Sequence, residues 1–522
     1  MGPAPNRRRQ GSKTVKTRKT TEKKQSRKGK STSSEGARNS RKVAKKTAIP
    51  TASPAATSAG GLPLEGCEGF EEFRDIVRQP VLQGLWPGET ALVFVDGRLR
   101  LIDEAGYADV EKKIPMASSS LVRLYSMTKC VVAAAVLQLV DDGLLCLDDE
   151  LADYLPCFQA PKVLIEKKDG WPEEGRTEPA RREITLRHLL THTSGISGGA
   201  APGIDAIRRW NRRERAWIDV YKPLVKEVDA GQHTLKTFVE ELALLPLWNH
   251  PGEHYSYGYS YDVLGYIIES KTGKDLATYL KEHIFEPLDM TSTGFDLTSM
   301  AASNPSLREE KKSSASRGGA SQFRRLSVLY RRTKSSRYGA DGKTSKLARI
   351  DPVGIGDESK WTKVGIPSAG GCVSSFAGGL LSTADDYAKF LLAVVSGGAH
   401  PSSGKRILSE EMAAEMLADQ TAKLGSQVAT ACPYGDRALG LSCLGEVQRA
   451  GAPSTGGWFD GVQGVRLWGG AANTAFKFDR NNGKPILILI MSQVVPQDSG
   501  TTATALLRAV RAATQSVGAE QS

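Results

Sequence analysis

The sequence predicts an α/β fold of the α+β type, in which an antiparallel sheet is flanked by helices and joined to a largely helical region. Two hairpin patterns predict the sheet, one near the start of the patterned sequence and one near its end, so that strands from both extremes compose one layer. Apolar runs of helical length between them predict the helices.

Residues 1–48 hold 17 Lys/Arg against two Glu, and so contain the whole excess behind the chain's formal charge of +12. Rich in Ser and Thr and nearly devoid of large apolar side chains, this stretch cannot bury enough surface to offset its ordering entropy. A disordered basic tail is expected. Residues 50–61 read as a Pro/Ala/Ser/Gly linker, so tail and linker occupy residues 1–61 and one folded domain occupies residues 62–517, with patterning from Leu64 onward. The slightly acidic balance of that domain excludes a nucleic-acid reading of the fold itself, and contact with polyanions is expected of the tail alone. A cytoplasmic location is expected, with a nuclear or mitochondrial address left open by the tail. No apolar core follows the basic residues as a secretory signal requires, and no apolar run approaches the length of a membrane span.

Residues 91–95 and 98–102 read as strands joined by a tight Asp96-Gly97 turn. A helix follows over residues 126–141; it is apolar on most faces, hence buried, and Gly143 closes it. Near residues 160–183 stands a charged, Pro-containing loop. Residues 301–349 carry 13 Lys/Arg against three Asp/Glu. Both are expected to be insertions. In the second, Arg324-Arg325-Leu326-Ser327 has the basic-basic-x-Ser form of a kinase site, with packing of residues 326–330 as the competing reading. Residues 474–479 and 486–491, joined at Asn481-Asn482-Gly483, form the second hairpin, and residues 502–515 a closing helix. The seven cysteines are odd in number and scattered without metal-ligand spacing. They read as reduced thiols, and neither metal nor cofactor is expected.

Ser126-Met127-Thr128-Lys129 opens the buried helix with an S-x-x-K arrangement. Residues three apart share a helix face, so the Lys129 amine reaches the Ser126 hydroxyl, and the helix N-terminus supplies positive potential where an oxyanion forms. Burial of the lysine would favour its neutral, basic form. Two other serines match weaker signatures. Ser402-Ser403-Gly404-Lys405 repeats the spacing in a turn where no helix holds it, and Gly195-Ile196-Ser197-Gly198-Gly199 fits a nucleophile elbow but lacks the strand before and the helix after. His188 and His192 form an HxxxH pair with no third ligand or glutamate to support zinc.

With LYSMTK at 124–129, DDGLLCLDD at 141–149, ITLRHLLTHTSG at 184–195, PLDMTSTGF at 287–295, GGLLSTADDYAKF at 378–390 and Trp468-Gly469-Gly470 in that order, the chain resembles the β-lactamase-related serine hydrolases. That family includes class C β-lactamases, DD-peptidases and family VIII esterases. The resemblance covers roughly residues 64–515 apart from the insertions, and it implies a β-lactamase/transpeptidase-like catalytic domain. It also implies a catalytic phenol between Ser126 and Lys129. Among Tyr255, Tyr257, Tyr259 and Tyr261 the counting favours Tyr257, with Tyr255 in reserve, and Tyr259 stands where the family carries an Asn. Trp468-Gly469-Gly470 replaces Lys-Thr-Gly and is expected to bind substrate, its glycines admitting a substrate carbonyl. The Ala471 and Ser126 N–H groups are implied as the oxyanion hole, and the two histidines as structural. The activity so implied is that of a serine hydrolase acting through an acyl-enzyme on a small-molecule ester or amide. A carboxylesterase for small uncharged esters is expected first, because Trp468 offers no cation to a substrate carboxylate. A β-lactamase or DD-peptidase-like amide hydrolase, an acyltransferase, or a non-catalytic scaffold with a nucleic-acid-binding tail are the alternatives.

Overall fold

The computed structural model describes residues 64–65, 69–166, 172–196, 224, 233–304, 307, 325–332, 346–350, 379–424, 439–449 and 462–519. The basic tail, Ser197, Cys67, Cys372 and Cys432 lie outside them.

The first hairpin is β1 (Gly88–Val95) and β2 (Arg98–Asp109), followed by the short β3 (Ile114–Pro115). Asp96 and Gly97 both take positive φ, 55° and 73°, the backbone that a two-residue hairpin turn between right-twisted strands demands. From the other end come β4 (Leu439–Leu441), β5 (Glu446–Gln448), β6 (Arg466–Gly470), β7 (Thr474–Asn481) and β8 (Lys484–Met491). The turn between β7 and β8 repeats the device at Asn482 and Gly483. All eight strands join one antiparallel sheet in the order β4-β5-β6-β7-β8-β1-β2-β3. At its centre β1 pairs with β8, Thr90 opposite Met491 and Val95 opposite Ile486.

Both faces of this centre are covered, so its strands read as continuous apolar runs whose alternate side chains enter two different cores. Val93, Leu101, Ile486, Ile488 and Ile490 pack with Val77 of α1 (Arg74–Leu82) and Leu506 and Val510 of α5 (Ser499–Ala519). Leu92, Phe94, Phe476, Leu487 and Leu489 face the larger core, which surrounds α2 (Thr128–Asp141) together with α3 (Ser260–Thr272) and α4 (Ala384–Val395). From Thr128 to Leu137 every residue of α2 is buried, as its all-round apolarity predicts. Gly143, at φ 68°, follows its end.

Two expectations need correction. The stretch near 160–183 is not a plain loop: Lys162–Glu166 pairs antiparallel with Pro172–Pro179, and Leu164 and Leu247 bond through their backbones. Nor is all of 301–349 an excursion. Leu297–Ser303 is helical, and Tyr330–Arg332 pairs with both Leu347–Arg349 and Val494–Val495 in a small sheet. Leu326, Val328, Leu329 and Tyr330 are buried, because this short apolar run carries the chain across the Leu121 edge of the domain. Ser327 is 1% exposed and points its hydroxyl at Met116 Sδ, so the packed reading of that segment holds and the kinase-site form has no accessible acceptor there.

Candidate active site

A tight turn sets the nucleophile. Leu124 N–H donates to Leu380 O, Tyr125 takes φ 49°, and residues Tyr125–Met127 form a single 3-10 turn that feeds directly into α2. Ser126 therefore stands just ahead of the α-helix instead of within it. Two side chains that spacing could not reveal hold this turn from behind. Thr128 Oγ1 accepts from Leu380 N–H at 3.0 Å, and Tyr387 OH donates to Met127 O at 2.9 Å.

Lys129, one turn on, is 2% exposed and directs Nζ to Ser126 Oγ at 3.4 Å. Tyr257 OH lies 2.5 Å from the same oxygen, and Lys129 Nζ sits 4.6 Å from the centre of the Tyr257 ring. The segment that brings the phenol in is anchored by Ser256, whose N–H donates to His192 O at 2.7 Å and whose Oγ accepts from Asn249 Nδ2. The four tyrosines now separate. Tyr259 packs edge-on against Phe238, and Tyr261 is buried with its OH donating to Leu190 O, so both belong to the core. Tyr259 does not offer a substrate contact in place of the Asn. Tyr255 stacks 6.3 Å from Tyr257, and it is Tyr257 that meets the serine.

β6 closes the other side. Trp468 Nε1 donates to Ser126 O at 2.9 Å, and the indole lies 6.1 Å from the Tyr257 ring. Gly470 lies against the Leu124 carbonyl, and a Cβ there would also sit 2.5 Å from Thr474 Oγ1. Glycine is thus required at 470 by the protein's own backbone. Gly469 precedes it in β6, paired with Ala475. Ala471 begins the turn after β6 and packs half-buried against the cluster of Tyr125, Leu329 and Ala472, beside the nucleophile turn. Arg466 faces away, Nε to Leu417 O and a guanidinium N–H to Gly464 O, and so brings no charge to the Trp468 position.

The histidines divide as well. His188 completes a capping box with Thr185, accepting the Thr185 N–H on Nδ1 at 3.0 Å. Burial, and then Arg182, depress it to about 4. His192 packs its ring 4.5 Å from Tyr257 and 5.1 Å from Tyr261, and burial followed by the charge of Lys129 holds it well below the ordinary imidazole range. Among the described residues no cluster of His, Cys, Asp or Glu could hold a metal ion. Cys130, behind Lys129, donates to Leu444 O and is pushed up to about 12 by burial, which leaves it an unreactive thiol. Ser402 sits in an exposed turn whose N–H groups bond His400 Nδ1, away from any helix.

Chemically, a hydroxyl in contact with a phenol, itself beside a buried amine, can lose its proton as it attacks an acyl carbon.

Known proteins share this arrangement of elements. An uncharacterised protein of Mycobacterium tuberculosis is 30% identical over 344 residues, 66% of this chain and 70% of its own. Esterase EstB of Burkholderia gladioli is 34% identical over 208 residues, 40% of this chain and 47% of its own. The solved structure of EstCE1, a hydrolase with promiscuous acyltransferase activity, covers 85% of this chain and 98% of its own at TM-score 0.60 and 22% identity. Unliganded simvastatin synthase LovD of Aspergillus terreus gives the same values and, like EstCE1, shows the fold. The beta-lactamase family pattern matches residues 73–512, from the helix under the sheet to the helix that closes it, and the chain therefore belongs to the beta-lactamase family of serine hydrolases.

Proposed function

We propose that the chain is a carboxylesterase for small uncharged esters that works through an acyl-enzyme on Ser126. The observation that carries this reading is the contact of Ser126 Oγ with Tyr257 OH at 2.5 Å, with Lys129 Nζ 3.4 Å from the same oxygen. Ser126 Oγ attacks the ester carbonyl carbon while its proton passes to the basic member of the Tyr257–Lys129 pair. The carbonyl electron pair collects on oxygen, where the N–H groups of Ser126 and Ala471 are placed by this reading. As that pair returns, the bond to the alcohol oxygen breaks, the same phenol–amine pair returns the proton to it, and the alcohol leaves. Water then repeats the sequence in reverse roles and frees the acid.

The substrate class follows from Trp468. Its indole N–H is already engaged with Ser126 O, so it presents apolar surface and no charge-assisted contact, worth about 1.5–3 kcal/mol, to a substrate carboxylate. The test compares kcat/KM for a short-chain p-nitrophenyl ester with that for a chromogenic cephalosporin, alongside intact-mass detection of a phosphonate adduct. The ester is the expected preference, with one adduct lost in Ser126→Ala. A clear preference for the cephalosporin, or an adduct that survives Ser126→Ala, would overturn the reading.

A further inference from the structure

Behind Lys129 the site ends in a small hollow walled by Lys129, Cys130, His192, Tyr261, Ser442 and Trp468, with room for one water molecule. His192 is 2% exposed, and neither of its ring nitrogens has a protein partner among the described residues. Leaving such groups buried and unpaired forfeits their hydration with nothing in return. The residue also sits at φ 53°, a backbone conformation that side chains with a Cβ adopt with strain. An apolar side chain would fill the same space without the polar cost, so an imidazole here points to a partner that fits the hollow.

We propose that His192 and this hollow form a site for one ordered water molecule, and that through it His192 acts as a positioning residue for the Lys129–Tyr257 pair. Burial first, and then Lys129, hold the His192 ring well below the ordinary imidazole range, so it is neutral: one nitrogen donates and the other accepts. A water in the hollow donates to the accepting nitrogen and receives a hydrogen bond from Lys129, a bridge nearly as good enthalpically as a direct bond. Because Lys129 Nζ stands 3.4 Å from Ser126 Oγ, near the limit of a hydrogen bond, such an anchor bears directly on where the amine points. The His192 ring meanwhile supports the Tyr257 ring from beneath, 4.5 Å between centres.

The inference rests on the proposed role of Ser126, and the experiment separates the two. A high-resolution crystal structure of the full chain should show density in the hollow within hydrogen-bond distance of a His192 nitrogen. His192→Phe keeps a ring of similar size without nitrogens, and should lower kcat on a p-nitrophenyl ester about tenfold to a hundredfold with KM and Tm unchanged. His192→Asn keeps a donor and an acceptor and tolerates positive φ, and should recover most of that kcat. A dry hollow, or His192→Phe with wild-type kcat, overturns the proposal. Should His192→Phe fail to fold, the density and the kcat of His192→Asn decide it. Absence of a phosphonate adduct on wild-type Ser126 would instead sink the acyl-enzyme reading, and leave the density in the hollow untouched.

Discussion

Substituting Gly470 by alanine probes how closely β6 must approach the nucleophile turn. The added Cβ would lie 2.5 Å from Thr474 Oγ1 and press on the Leu124 carbonyl. An ordinary contact needs about 3.5 Å, and the Leu124 carbonyl would stand closer to the Cβ than Thr474 Oγ1 does, so strand and turn must separate by at least roughly 1 Å. Overpacking of this kind costs about 1–3 kcal/mol of stability. The larger effect falls on catalysis, because Leu124 lies two residues before Ser126 and Trp468 of the same strand holds the Ser126 carbonyl. A displacement of about 1 Å at a reacting group costs on the order of a hundredfold in rate, or about 2.7 kcal/mol of transition-state stabilisation. We therefore expect kcat/KM on a p-nitrophenyl ester to fall about a hundredfold, with a matching loss in the rate of fluorophosphonate labelling and a modest fall in Tm. Gly143→Ala is the control. Gly143 takes a positive φ of 68°, unlike Gly470, and an added Cβ there meets nothing within 4 Å, so the substitution should lose a little stability and no activity. If Gly470→Ala keeps kcat/KM within about twofold, the approach of β6 is not what fixes Ser126 and the reasoning fails.

Tyr257→Phe should lower kcat on p-nitrophenyl acetate by about 10²–10⁴ while Tyr255→Phe changes it only slightly, and equal losses would move the proton relay off Tyr257. His188 is held neutral in the fold, at about 4 against an ordinary 6.5, so its contribution is full above about pH 6.5 and is lost as pH falls toward about 4. His192 is displaced in the same direction. Tm measured across that window should decline in the wild type and decline less steeply in His188→Asn; identical slopes would show that the capping imidazole is not a source of acid sensitivity.

What was legible in the sequence was what local chemistry dictates. Asp96-Gly97 and Asn482-Gly483 announced hairpins because few residues accept positive φ at consecutive positions, and both turns take it. Ser126 and Lys129 could be paired from their spacing, although Ser126 stands in the 3-10 turn that leads into the helix and not in the helix itself. The hairpin at 162–179 escaped notice because its second strand, Pro172–Pro179, is charged and bounded by prolines, which masked the short apolar centre of the first, where Val163 and Leu164 are buried. The buried run 326–330 was visible as apolar, yet the arginines around it suggested an exposed loop. At the site, the bond from Trp468 to the Ser126 carbonyl joins residues 342 apart, and that from Tyr387 to Met127 joins residues 260 apart. No spacing rule reaches across such separations. The choice among four tyrosines likewise turned on packing, which sends Tyr259 and Tyr261 into the core.

The pairing of β1 with β8 has a consequence for how the chain is made. Val95 is translated nearly 400 residues before its partner Ile486, so at about 5–20 residues per second the apolar β1–β2 hairpin waits roughly 20–80 s for the strand that completes it. Throughout that interval an unpaired strand edge, apolar on both faces, is open to any other nascent chain. Residues 301–349, with 13 Lys/Arg, emerge within the same interval, and their charge helps keep the waiting polypeptide apart from its neighbours on the polysome. Synthesis that stops anywhere short of β8 leaves the centre of the sheet without its closing strand, a species for the chaperones and proteases of the cell instead of a smaller working enzyme.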